Sequence, residues 1–256
     1  MKTWIALIKK EGAAHRRTGK LYILGGIFLL LGVMNPAVAK LTPMLFAVLE
    51  EELAMSGIVI PEVAVSALDS WVQFFKNIPM GLIAFVVLES NLFTKEYRTG
   101  TLILSLTKGL PRYQVVLSKA AVLTAVWTVG YWLCAGVTYA GTAALWDNAV
   151  AQHLPFALMG WWVFGMMVVA LTVLFSTVFR SNIGVLGGTG GVAMGTYVLS
   201  ALPKIGEYSP AFLANGNGLI YGMAEVKTYL PALWIAVGIS LVAFAVSIPL
   251  FNKKQL

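Results

Sequence analysis

The residues of this chain that could carry out chemistry are few, and their spacing argues against most enzymes. His15 and His153 are the only histidines, and the charge pattern described below puts them on opposite sides of a membrane, so no His-rich zinc site can form. No Gly-x-Ser-x-Gly elbow is present to present a serine nucleophile. Cys134 is the single cysteine and lies inside an apolar run, which leaves neither a disulfide framework nor a thiolate metal site. Thr18-Gly19-Lys20 has the ending of a phosphate-binding loop, but the upstream glycine is missing and Leu21 stands where a Ser or Thr is needed. The chain therefore has no ATP site of its own. One carboxylate stands out: Glu89 lies near the end of an apolar segment, where a charge is costly unless it is paired or close to the interface. It calls for a structural partner, Arg98 or Lys95, or for a role in coupling or transport.

The elements that must position these residues are membrane helices. Of the 256 residues, 59% are hydrophobic and only 11% are charged, and the mean hydropathy is +0.81. That balance excludes a soluble domain of this length and indicates a polytopic membrane protein. Apolar segments predict six spans at about 21–39, 71–93, 120–145, 156–179, 183–202 and 232–251. Between the first two, 40–70 reads as an external segment carrying Glu50-Glu51-Glu52, with a short surface helix around 45–55. That acidic run reads as solvated surface, with attraction of a cationic substrate or an outside partner as the sharper alternative. The net charge of +7 does not mark a nucleic-acid binder, because the basic residues cluster at the ends of the apolar segments. All of the lysines and arginines except Lys40, Lys76, Lys204 and Lys227 fall on one side, which predicts cytoplasmic termini.

Residues 1–20 carry no secretory signal, since the apolar core from Trp4 to Ile8 is too short and runs into Lys9, Lys10 and Glu11. They predict an interfacial amphipathic helix, with Met1, Trp4, Ile5 and Ile8 on one face. The fifth span carries Gly184, Gly187, Gly188, Gly191 and Gly195, whose overlapping spacings permit close helix packing within the chain or across a dimer interface. Trp127, Trp132, Trp161 and Trp162 read as packing or lipid-facing residues rather than a ligand cage.

Between the second and third spans, Glu96 to Arg112 is too polar to be buried in lipid. Thr99 or Thr101 can cap a short surface helix, Leu102, Ile103 and Leu106 form an apolar stripe at one-turn spacing, and Gly109 can stop it in the left-handed conformation. Pro111 then suits the start of a helix running through Lys119 into the bilayer.

This segment resembles the first cytoplasmic loop of type-2 ABC transporter permeases. The correspondence runs through Glu96, Gly100-Thr101-Leu102, Leu104-Ser105-Leu106, Pro111-Arg112 and Ser118-Lys119, and departs from the family's usual pattern at Lys108-Gly109-Leu110. The six-span layout extends the resemblance over essentially the whole chain.

The resemblance implies an all-α, six-span permease domain in a bacterial cytoplasmic membrane. A coupling helix would contact a separate ATPase through Glu96, Arg98, Gly100, Thr101, Leu102, Ile103, Ser105, Leu106, Lys108 and Arg112. Two ATPase copies would bind the ATP and magnesium, so this chain needs no cofactor, and a second permease subunit, identical or paralogous, would complete the route. Hydrophobic peptides, antimicrobials, drugs and lipids are the implied substrates. An ion-coupled secondary transporter, which would rest on Glu89 and the glycine-rich fifth span, and a non-transporting sensor or scaffold are the alternatives.

Overall fold

The computed structural model describes residues 2–54, 64–100, 107 and 110–254. Nine α-helices cover most of the described residues, none of which is in a strand. In chain order they are α1 (Lys2–Arg17), α2 (Lys20–Ala54), α3 (Ala67–Glu89), α4 (Thr94–Thr99), α5 (Arg112–Ala143), α6 (Leu154–Val178), α7 (Asn182–Ser200), α8 (Asn217–Ile220) and α9 (Val226–Lys253). Six of these, α2, α3, α5, α6, α7 and α9, are long and apolar enough to cross a bilayer.

Local chemistry explains several of the boundaries. Ser66 caps α3 by accepting from the Leu68 amide while its own amide donates to Asp69, a reciprocal capping box. Ser181 caps α7 by accepting from the Gly184 amide. Pro111 sits in extended backbone directly before α5, which begins at Arg112 and runs through Lys119 into the third span.

The largest departure from the predicted spans is α2. It continues without interruption to Ala54 instead of ending near Ala39, so the expected separate surface helix around 45–55 is the upper part of the first span's own helix. Leu41, Met44 and Leu45 extend the apolar pattern beyond Lys40, and Pro43 removes only one backbone donor, so neither residue is enough to break the helix. Likewise α9 starts at Val226 and takes Pro231 into its interior.

Helix α2 packs on α3 and α5, while α6 forms the centre of the other half, against α7 and α9. The face of α9 that turns inward is a stripe of Ala232, Ala236, Ser240, Ala243 and Ser247, small side chains at one-turn spacing that allow a close approach to its neighbours, with Tyr229 and Phe251 buried at its two ends. Buried aromatics fill the space between the halves: Trp127 packs edge-on against both Phe28 and Phe85, and Tyr131 against Phe74. Gly165 of α6 makes room for the Trp127 ring, which a side chain there would meet head-on.

Polar groups fix the register of the first three spans. Asn77 Nδ2 donates to Asn35 Oδ1 at 2.9 Å, and Asn35 Nδ2 donates to Thr138 Oγ1 at 2.9 Å. The hydroxyls of Ser70 and Thr142 meet at 2.7 Å further along. Buried amides of this kind hold helices together because nothing else in hydrocarbon can satisfy them.

Candidate functional site

At one end of the bundle lie α1, the start of α2, the end of α3, α4 and the start of α5, joined by a network of buried charges. Glu89 is fully buried. Its Oε2 lies 3.1 Å from His15 Nε2 and accepts from Lys20 Nζ at 3.2 Å. Lys20 also donates to Asn91 Oδ1 at 2.6 Å. The other ring nitrogen of His15, Nδ1, faces the Glu11 carbonyl at 2.9 Å. A carbonyl can only accept, so Nδ1 carries a proton, and a carboxylate opposite Nε2 favours a second one: the ring is placed to be an imidazolium. Burial acts to lower the His15 pKa, and the hydrogen bond and charge of Glu89 outweigh it, so the group titrates above its ordinary value. Among the described residues the partners of Glu89 are His15 and Lys20, 74 and 69 residues away in sequence but at the same end of the bundle; the side chains of Arg98 and Lys95, its expected partners, lie outside the described residues.

A second cluster is built around Lys119, which is only 2% exposed. Its ammonium donates to Glu11 Oε2 at 3.0 Å, lies 3.2 Å from Glu96 Oε1 and stands over the Phe93 ring. Glu11 therefore belongs to both clusters, through its side chain to Lys119 and through its backbone carbonyl to His15. The inward face of α1 is Leu7, Glu11 and His15, four residues apart, and the predicted apolar face of Trp4 and Ile5 is turned outward. Sequence reasoning missed this ion set. The signal available was the four-residue spacing of Glu11 and His15 on one side of an amphipathic helix.

Helix α4 leads directly into the segment that resembles a coupling helix. Phe93 stacks near Tyr97 and packs on Phe251 of α9. The Thr94 hydroxyl bonds Asn182 Oδ1 at the start of α7. Tyr97 reaches the Ser176 carbonyl of α6 at 3.5 Å, and burial drives its phenol well above the usual range. Glu96 comes from the middle of α4, whose end is set by Gly100 with φ 65° and ψ 2°, the left-handed conformation that glycine adopts without strain. Thr99 is thus the last residue of this helix, and its side chain lies outside the described residues. Thr101, Leu102, Ile103, Ser105, Leu106 and Lys108, with Gly109, lie outside the described residues, as does the side chain of Arg98. Arg112, at the start of α5, donates from Nη1 to the carbonyls of Phe251, Asn252 and Lys254 at 2.8–3.2 Å.

On the flank of the bundle, α3, α6 and α7 line an open apolar cavity of about 760 Å³. Its walls include Ile83, Val87, Phe164, Met194 and Tyr197, with Thr189 adding a buried hydroxyl that has no hydrogen-bond partner. Of the glycines of α7, Gly184 and Gly188 pack against Phe179 and Phe175. Gly187, Gly191 and Gly195 face open space. The glycine face is therefore divided between packing within the chain and a surface the chain leaves uncovered.

Among the described residues no group of His, Cys, Asp and Glu is arranged to hold a metal ion. The sequence model for the ABC-2 family transporter proteins matches residues 5–208, and the chain belongs to that family. No curated protein matches it. The protein is accordingly a multi-pass membrane permease of the ABC transporter class, a transport subunit of a kind that generally works with an ATPase subunit.

Proposed function

We propose that this permease exports a hydrophobic or amphipathic substrate, such as a peptide, antimicrobial, drug or lipid, using ATP hydrolysed by a separate ATPase. The apolar cavity between α3, α6 and α7 carries the substrate class: about 760 Å³ lies in the range of small-molecule sites, and its walls are almost wholly apolar. A second permease subunit, identical or paralogous, would cover the exposed glycine face of α7 and close that cavity. Two ATPases, holding ATP and magnesium, would dock on the segment from Glu96 to Arg112. The charged end of the bundle would then face the cytoplasm of a bacterial cell, in keeping with the excess of basic residues there.

In this reading the ATPases push the segment 101–110 as they close. The push reaches α5 and α1 through Glu96, Lys119 and Glu11, and α3 through His15 and Glu89. Glu89 supports this relay better than ion-coupled transport, because it is paired with two cations at the end of a span.

The test is co-expression with a candidate ABC ATPase subunit and recovery of the complex. Wild-type permease should carry the ATPase through purification; Leu106→Asp, which puts a charge on the predicted apolar stripe, should lose it at an unchanged melting temperature. Unchanged recovery with the Asp variant would remove the coupling role from this segment. Labelling of a cysteine at position 100 from outside intact spheroplasts would overturn the orientation.

A further inference from the structure

We propose that Lys254 is a positioning residue for coupling, a pin that ties α4 to the ends of α6 and α9 so that the three move as one piece. The inference rests on the coupling reading above and adds to it a residue outside the segment that meets the ATPase.

The geometry is specific. Just beyond α9, the Lys254 ammonium donates to three successive carbonyls at the end of α6: Thr177 at 2.7 Å, and Val178 and Phe179 at 3.2 Å. Carbonyls in the last turn of a helix have no partners within it, and a cation complements the negative end of the helix dipole. An ammonium has three protons, so its donors are fully used. The same ammonium lies 4.3 Å from the centroid of the Tyr97 ring of α4, within cation–π range. Burial and, to a smaller extent, Arg180 bring its pKa down to about 8, so it carries its charge at neutral pH.

The backbone that carries Lys254 is itself held. Arg112 binds the carbonyls of Phe251, Asn252 and Lys254, and Phe251 is fully buried against Phe93, their ring centroids 5.1 Å apart. The start of α5 therefore holds the end of α9, and the residue after α9 holds both the end of α6 and the side of α4. A cap for α6 alone would need no aromatic partner on another helix. The contact with Tyr97 makes the cap a link between helices, and it lies beside a long hydrogen bond from the Tyr97 hydroxyl to the Ser176 carbonyl of α6. A displacement of α4 then reaches the cavity wall on α6 directly.

The variants are Lys254→Met, which keeps the length but not the charge, Lys254→Arg, which keeps donors and cation, and Tyr97→Leu, which removes the ring and leaves the cap intact. In the purified permease alone, hydrogen exchange of the amides of residues 94–99 should rise about tenfold in Lys254→Met and in Tyr97→Leu, and match wild type in Lys254→Arg. Exchange at residues 178–182 should rise only in Lys254→Met. In proteoliposomes holding the complex with its ATPase, transport per ATP hydrolysed should fall about tenfold in Lys254→Met and Tyr97→Leu, with recovery in Lys254→Arg and unchanged amounts of bound ATPase. Wild-type exchange at 94–99 in Lys254→Met, or full transport by Tyr97→Leu, would overturn the pin. Failure of wild-type permease to bind any ATPase would instead overturn the coupling reading, and the exchange measurement would still decide whether the pin exists.

Discussion

Glu11 and Lys119 are 108 residues apart in the chain, yet their side chains meet at 3.0 Å in a place where both are nearly removed from solvent. Through this pair α1 becomes part of the bundle rather than an amphipathic helix resting beside it. Since Lys119 also binds Glu96, α1 and the approach to the coupling segment share one cation.

Replacing Lys119 with Met should therefore destabilise the permease strongly. It leaves Glu11 and Glu96 without their common cation, and breaking a buried ion pair from one side costs on the order of 3 kcal/mol or more. Glu11→Gln should cost less, because an amide still accepts from Lys119 and Glu96 remains. Melting curves in detergent would check the order; equal midpoints for Lys119→Met and wild type would show that the cluster is not buried in solution.

His15 should make the docking of α1 sensitive to pH. Its folded pKa is raised above the ordinary 6.5 by Glu89, against the effect of burial. Lys20 is the other charged group acting on it, and it opposes protonation, while the Glu11 backbone carbonyl favours it. A base with a raised folded pKa contributes stability that is complete below its unfolded pKa and is lost as the pH rises through the folded one. Thermal stability should thus decline from about pH 6.5 upward in wild type and stay flat over the same window in His15→Gln. Matching slopes for the two proteins would exclude the imidazolium.

Gly100 holds a positive φ at the end of α4, and a Cβ there would meet no neighbouring atom. Gly100→Ala should then cost about 1 kcal/mol from backbone strain alone. Gly100→Asn, which tolerates the left-handed region better, should cost less. Because nothing crowds the site, a larger loss for Ala in a melting experiment would mean that the turn is built differently.

Gly191 lines the apolar cavity and has open space beyond its Cα. Gly191→Trp should fold with little change in stability but fill part of the cavity. Labelling by a hydrophobic photoreactive probe at the Met194–Tyr197 turn should fall several-fold. Undiminished labelling would place the substrate route elsewhere.

Six spans, the polar stretch between the second and third, and the family resemblance were all legible in the sequence. Apolar runs of about twenty residues and the clustering of basic residues at their ends are local properties, set by the thickness and dielectric of a bilayer and by nothing more distant. Tertiary structure decided which charges pair. Glu89 meets His15 and Lys20, because antiparallel spans return residues far apart in sequence to the same end of the bundle. For the same reason Lys254 and Tyr97 are strangers in the sequence and neighbours in the fold. The length of α2 also had to be seen, since Lys40 and Pro43 are local signals for a break that a continuous apolar pattern and the pairing of backbone groups along the helix outweigh.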